Sequence, residues 1–87
     1  MKKDKVIYIC GNNHIPGLEC HEWYKAFQNT PLNGVSKEKY KIETPYATID
    51  FVYRKSLFTW KKYDFVLNAD KQGDDAKLFA IGIGKDY

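Results

Sequence analysis

Arginine is almost missing from this chain: thirteen of its fourteen cationic side chains are lysines, and Arg54 is the single guanidinium. Bidentate reading of guanine edges and clamping of phosphates use the planar guanidinium fork, whereas lysine brings charge without geometry. Sequence-specific reading of duplex DNA is therefore disfavoured. Cysteine is scarce as well. Cys10 and Cys20 cannot form a disulfide framework and are expected as free thiols in a reducing compartment. No apolar run approaches the roughly 20 residues that cross a bilayer. The apolar stretch 6–10 behind the first lysines is too short for a signal peptide. The expectation is a cytoplasmic protein without membrane contact.

What is present suffices for a folded core. The 87 residues leave room for one domain, 1–87, and the 44% hydrophobic and 16% aromatic content argues against disorder. The charge of +3 is mild, but it is sorted along the chain. Residues 42–87 carry seven cations and seven acids, with Arg54, Lys55, Lys61 and Lys62 in one group and Asp70, Asp74 and Asp75 in another. That half reads as dipolar rather than basic.

Hydrophobic periodicity predicts the elements. "KVIYIC" (5–10) is apolar on both parities, a strand buried on two faces. "LECHEWYKAFQ" (18–28) places Cys20, Trp23, Tyr24 and Phe27 on one helical stripe, with Pro16 near its start. "VSKEKYKIE" (35–43) fits a charged loop, a helical turn or the lead-in to a strand. "YATIDFVY" (46–53) alternates as a half-buried strand, "KKYDFVLN" (61–68) as another, and "AKLFAIGIG" (76–84) reads as a last, mostly buried strand. "ADKQGDD" between them is turn chemistry. Asp-Phe-Val occurs at 50–52 and again at 64–66, so an antiparallel hairpin setting Phe51 opposite Phe65 is expected. The predicted fold is α+β: one helix packed on a three- to four-stranded, mainly antiparallel sheet in the order β-α-β-β-β.

The stretch "YRKSLFTWKKY" (53–63) has four cations, four aromatic rings and no acid, where a hairpin tip would carry Gly, Asn or Asp. Tyr53, Arg54, Lys55, Phe58, Trp60, Lys61, Lys62 and Tyr63 form the predicted binding surface. Rings among cations suit the anchor of a protein interface. They also suit stacking on unpaired bases beside a phosphate backbone. A third reading folds Leu57, Phe58 and Trp60 under the sheet as core, with the cations in solvent.

Other chemistry is thinner. Cys10, His14, Cys20 and His21 alternate, whereas familiar zinc sites pair like residues at short spacing, so no metal or other cofactor is expected. Cys10 ends a strand ahead of a Gly-containing loop and a helix start, with His14 nearby, which resembles the phosphate cradle of cysteine-dependent phosphatases. The arginine such a cradle needs is replaced by "GNNHIP". Gly82 and Gly84 have no dinucleotide-binding helix after them and mark places where a ring or backbone packs closely. The reading is a non-catalytic protein that acts by occupying a partner macromolecule, with a host protein ahead of single-stranded RNA or DNA and a Cys10 thiol enzyme third. The Lys, Asn, Ile and Tyr bias suits a low-GC phage or mobile element, and hence an inhibitor of a host nuclease or defence protein. Oligomeric state is left open.

Overall fold

A computed structural model of the chain describes residues 3–53 and 63–85. The elements run β1 (Asp4–Cys10), α1 (Pro16–Gln28), β2 (Ser36–Lys37), β3 (Lys41–Glu43), β4 (Ala47–Tyr53), β5 (Phe65–Asn68) and α2 (Asp74–Gly82). The five strands form one sheet in the order β2-β3-β4-β1-β5. The fold is α+β, as the sequence indicates, but the sheet is mixed rather than mainly antiparallel, and two helices accompany it.

β1 is the centre of that sheet. Its ladder with β4 is parallel and runs from Asp4–Ala47 to Cys10–Tyr53. On its other edge β5 is also parallel, pairing Val6 with Phe65 and Ile9 with Asn68. Residues of both parities along β1 are buried, so both of its faces are shielded from water, which accounts for its unbroken apolar run. Val6, Ile7, Tyr8, Ile9 and Cys10 are all buried.

The hairpin expected from the repeated Asp-Phe-Val does not form. Phe51 stands beside Tyr8 and Phe65 beside Val6, with β1 between the two repeats. The cause is register: β4 leaves the sheet level with Cys10, whereas β5 enters level with Val6. The ambiguous 35–43 segment supplies β2 and β3, which pair antiparallel with each other, and β3 pairs antiparallel with β4.

The segment expected as a strand at 76–84 is helical through Gly82 and ends in a turn. Apolar residues at nearly every position leave the period undecided in sequence. In the fold, Leu78, Ile81 and Gly82 are buried, a spacing of three and four that belongs to one helix face. Asp74 and Asp75 lie in the first turn, where carboxylates complement the helix dipole. Gly73 precedes them at φ 90°, a conformation that glycine adopts without steric cost. The Asp74 carboxylate accepts the Asn68 amide at 2.9 Å and ties the start of α2 to the end of β5.

Both helices cover the face carrying Val6, Tyr8 and Cys10. Phe27 of α1 is fully buried, 5.8 Å from the Trp23 ring and 5.8 Å from the Phe79 ring of α2, nearly parallel to the latter. Such ring pairs add about 0.5–1.5 kcal/mol each beyond burial. Gly82 lies against the Phe27 ring and Gly84 against the Tyr46 ring, each too close for a Cβ. The close packing expected at the two glycines is realised.

The β3–β4 turn is held by one buried hydroxyl. Thr44 Oγ1 accepts the amides of Tyr46 at 3.2 Å and Ala47 at 3.1 Å, and it lies 3.4 Å from the Ala47 carbonyl. Thr44→Val keeps the shape and strands those donors, which costs about 1–3 kcal/mol. A urea melt should show a lower midpoint at unchanged slope, with Thr44→Ser close to wild type.

Candidate functional site

Strand alternation sends Ala47, Ile49, Phe51 and Tyr53 toward the helices, and Thr48, Asp50 and Val52 to the other face. Tyr53 is the last residue of β4 and is 55% exposed. Tyr63 lies on the opposite face, where its hydroxyl donates to Asp50 Oδ2 at 2.6 Å. The structure thus separates the two ends of the predicted surface. Arg54, Lys55, Phe58, Trp60, Lys61 and Lys62 lie outside the described residues.

Around Tyr53 the fold collects residues the sequence reading did not include. Tyr40 precedes β3, and its carbonyl accepts the Phe51 amide at 2.8 Å. This places Tyr40 beside β4, on the same face as Tyr53 and close to it. The Tyr40 ring packs over Gly17 in the first turn of α1, and its ring carries the Lys39 ammonium 5.3 Å above it. The same turn presents Ile15 at 56% and Leu18 at 62% exposure. Four large apolar side chains therefore stand in water where α1 begins and β4 ends. Leu18 was legible: it lies off the Cys20–Trp23–Tyr24–Phe27 stripe, so helical spacing leaves it on the outside. Tyr40 was not, because its exposure depends on the β3–β4 ladder.

The neighbouring strand ends carry opposite charge. Lys37 and Lys39 precede Tyr40 at the start of β3, whereas Asp70, Asp74 and Asp75 follow β5, with β4 and β1 between β3 and β5. The basic pole here comes from the first half of the chain; Arg54, Lys55, Lys61 and Lys62, the basic group expected in the second half, lie outside the described residues. Between these poles lies the loop after β1. Gly11 is buried there against the Asp70 carboxylate, whose nearest oxygen is 2.2 Å from where a Cβ would sit. No other residue fits that position unchanged.

Cys10 and Cys20 are buried free thiols. Burial, with a smaller contribution from the Glu19 carboxylate, pushes the Cys10 thiol up to about 12. Cys20 is raised by burial too. A nucleophilic cysteine needs the reverse shift and a base in contact. His14 Nδ1 instead pairs with Glu19 Oε1. That hydrogen bond raises the His14 pKa above its ordinary value, and the charges of Glu19, Asp70 and Asp75 act in the same direction. Tyr8, under this loop, donates to Asp75 at 2.7 Å, and burial followed by that bond raises its phenol. Among the described residues, no three His, Cys, Asp or Glu side chains converge to hold a metal ion, and no helix is long and apolar enough to cross a membrane.

No family model, curated protein or solved structure matches the chain. The functional reading therefore stands on geometry and composition.

Two measurements check these environments. At neutral pH the native protein should leave both thiols far less reactive toward a disulfide reagent than a free peptide thiol, and urea should expose two. Rapid native labelling of Cys10 would reopen thiol chemistry. The His14–Glu19 pair favours the charged ring in the folded state only. Its contribution is fully present below about pH 6.5 and is lost as pH rises through the raised value. Glu19→Gln should lower the NMR titration midpoint of His14 and flatten the stability difference between pH 6 and pH 8.

Proposed function

We propose that the protein is a non-catalytic binding protein that acts by occupying a partner macromolecule, and that its partner is another protein docked where α1 begins and β4 ends. The observation that carries the reading is the joint exposure of Ile15, Leu18, Tyr40 and Tyr53 on one end of the fold. Isolated exposed apolar residues are ordinary, but a group of them with two tyrosines and a lysine-bearing rim has the composition of an interface anchor. Tyr53 is also the first residue of the basic, aromatic stretch singled out in the sequence, so the two candidate surfaces are continuous in the chain. The buried, poorly ionising Cys10 counts against the thiol enzyme. Scarce arginine and the acidic pole at Asp70, Asp74 and Asp75 count against a phosphate backbone as the main ligand.

The low-GC composition directs the search toward nucleases and defence proteins of a bacterial host. The immobilised 87-residue chain should retain one discrete protein from a nuclease-treated lysate of such a host, and high salt should not release it. Leu18→Asp should abolish retention. Tyr53→Ala should weaken the purified complex by about thirtyfold while leaving the melting temperature unchanged. Retention of nucleic acid alone, with affinity falling steeply as salt rises, would replace this reading with single-strand binding. Unchanged capture by both variants would remove the surface from consideration.

A further inference from the structure

The sheet face away from the helices holds a cavity of about 170 Å³ lined by Lys5, Lys41, Thr48, Asp50 and Tyr63. Its floor follows from register. Lys5 pairs with Thr48 across the β1–β4 ladder, and Lys41 pairs with Asp50 across β3–β4. Thr48 and Asp50 are two residues apart on β4 and point the same way. Two ammonium groups and a hydroxyl are thereby set around one space.

Among the described residues, Asp50 is the carboxylate that lines the cavity, and one of its oxygens takes the Tyr63 hydroxyl at 2.6 Å. Among the described residues, neither lysine ammonium is within ion-pair distance of a carboxylate. Asp64 is next to Lys5 in the fold, but it accepts the Lys5 backbone amide at 2.9 Å rather than lining the cavity. The cavity is therefore a small polar site with positive charge left over.

We propose that this cavity binds a small phosphomonoester that carries a neighbouring hydroxyl. The three donors, Lys5 Nζ, Lys41 Nζ and Thr48 Oγ1, suit the three terminal oxygens of a tetrahedral phosphate. Asp50 would repel an anion placed against it, so the part of the ligand facing Asp50 is a hydrogen-bond donor. The ester's hydroxyl fills that role, with the Tyr63 hydroxyl fixing the carboxylate. The cavity opens to solvent on one side, so its lining rather than its volume selects the ligand: one phosphate for the two lysines and Thr48, and one adjacent hydroxyl for Asp50, which a phosphorylated three-carbon alcohol supplies. The site lies on a different face from the proposed protein contact, and neither depends on the other.

The test is a titration of the ¹⁵N-labelled full chain with glycerol 1-phosphate, glycerol, inorganic phosphate and a thymidine oligonucleotide, all at one ionic strength. The expected result is saturable movement of the Lys41, Thr48 and Asp50 amides with glycerol 1-phosphate and none with glycerol. Inorganic phosphate should bind at the same residues more weakly. Lys41→Gln should weaken the ester about tenfold. Tyr63→Phe should erase the advantage of the ester over inorganic phosphate, with the melting temperature showing both variants folded. Absence of localised shifts in the unsubstituted protein overturns the proposal, whatever the variants do. Tighter binding by the oligonucleotide at these amides, or equal affinity for ester and inorganic phosphate, overturns it as well.

Discussion

Everything in this fold hangs on the double burial and double pairing of β1. Its five apolar residues from Val6 to Cys10 have no exposed face, and both backbone edges are occupied by parallel strands. Removing apolar surface from water at about 25 cal/mol per Å² is the main gain available to a chain this short. That gain is realised only when the backbone amides of the same strand are satisfied. β4 and β5 satisfy them from either side, and the two helices then close one face with Trp23, Phe27, Phe79, Leu78 and Ile81. The β2–β3 arm extends the sheet beyond β4 and supplies Ile42 to the same core.

With β1 in the middle, the ends of three parallel strands and the loops after β1 and β5 meet along one border. The loop after β1 leads into α1 and the loop after β5 into α2, so both helix starts lie there. Open sheets with parallel strands place their binding crevices at such borders, outside the carboxyl ends of the strands. Here that border divides into an apolar, lysine-flanked part at Tyr40 and Tyr53 and an acidic part at Asp70, Asp74 and Asp75. The His14–Glu19 pair and the buried Gly11 lie between them. The opposite face of the sheet is different in kind. Lys5, Thr48 and Asp50 make a polar corner at the start of β1, onto which Tyr63 is bonded down, beside the buried Ile7 and Ile9 of the same face.

Local pattern gave β1, α1 and β4 because each has one unmistakable period. The continuous run of β1 and the Cys20–Phe27 stripe of α1 are realised nearly residue for residue. α2 was misread because "AKLFAIGIG" is apolar at consecutive positions, and its helical identity rests on Gly73 and the two aspartates before it. Pairing was misread for another reason. Two copies of Asp-Phe-Val suggest mutual contact, yet each repeat found the same third strand. Strand order depends on long-range register, which no local period encodes. The site was legible only in part: Tyr53 and Leu18 follow from parity and helical spacing, whereas Tyr40 and the Lys5–Lys41–Asp50 cavity exist only after β3, β4 and β1 are aligned.

The placement of β1 also governs the order in which this protein is made. Its first partner, β4, begins at Ala47, and its second is not complete until Asn68. β1 is synthesised before either of its partners and waits, unpaired and strongly apolar, until the residues of β4 and β5 have followed. Contacts such as Val6 with Phe65 span about two thirds of the sequence, and such closure is slow. During translation this apolar run is exposed to other nascent chains, with its charges gathered at one end, on Lys2, Lys3, Asp4 and Lys5, and no acid, lysine or arginine from Gly11 to Leu18.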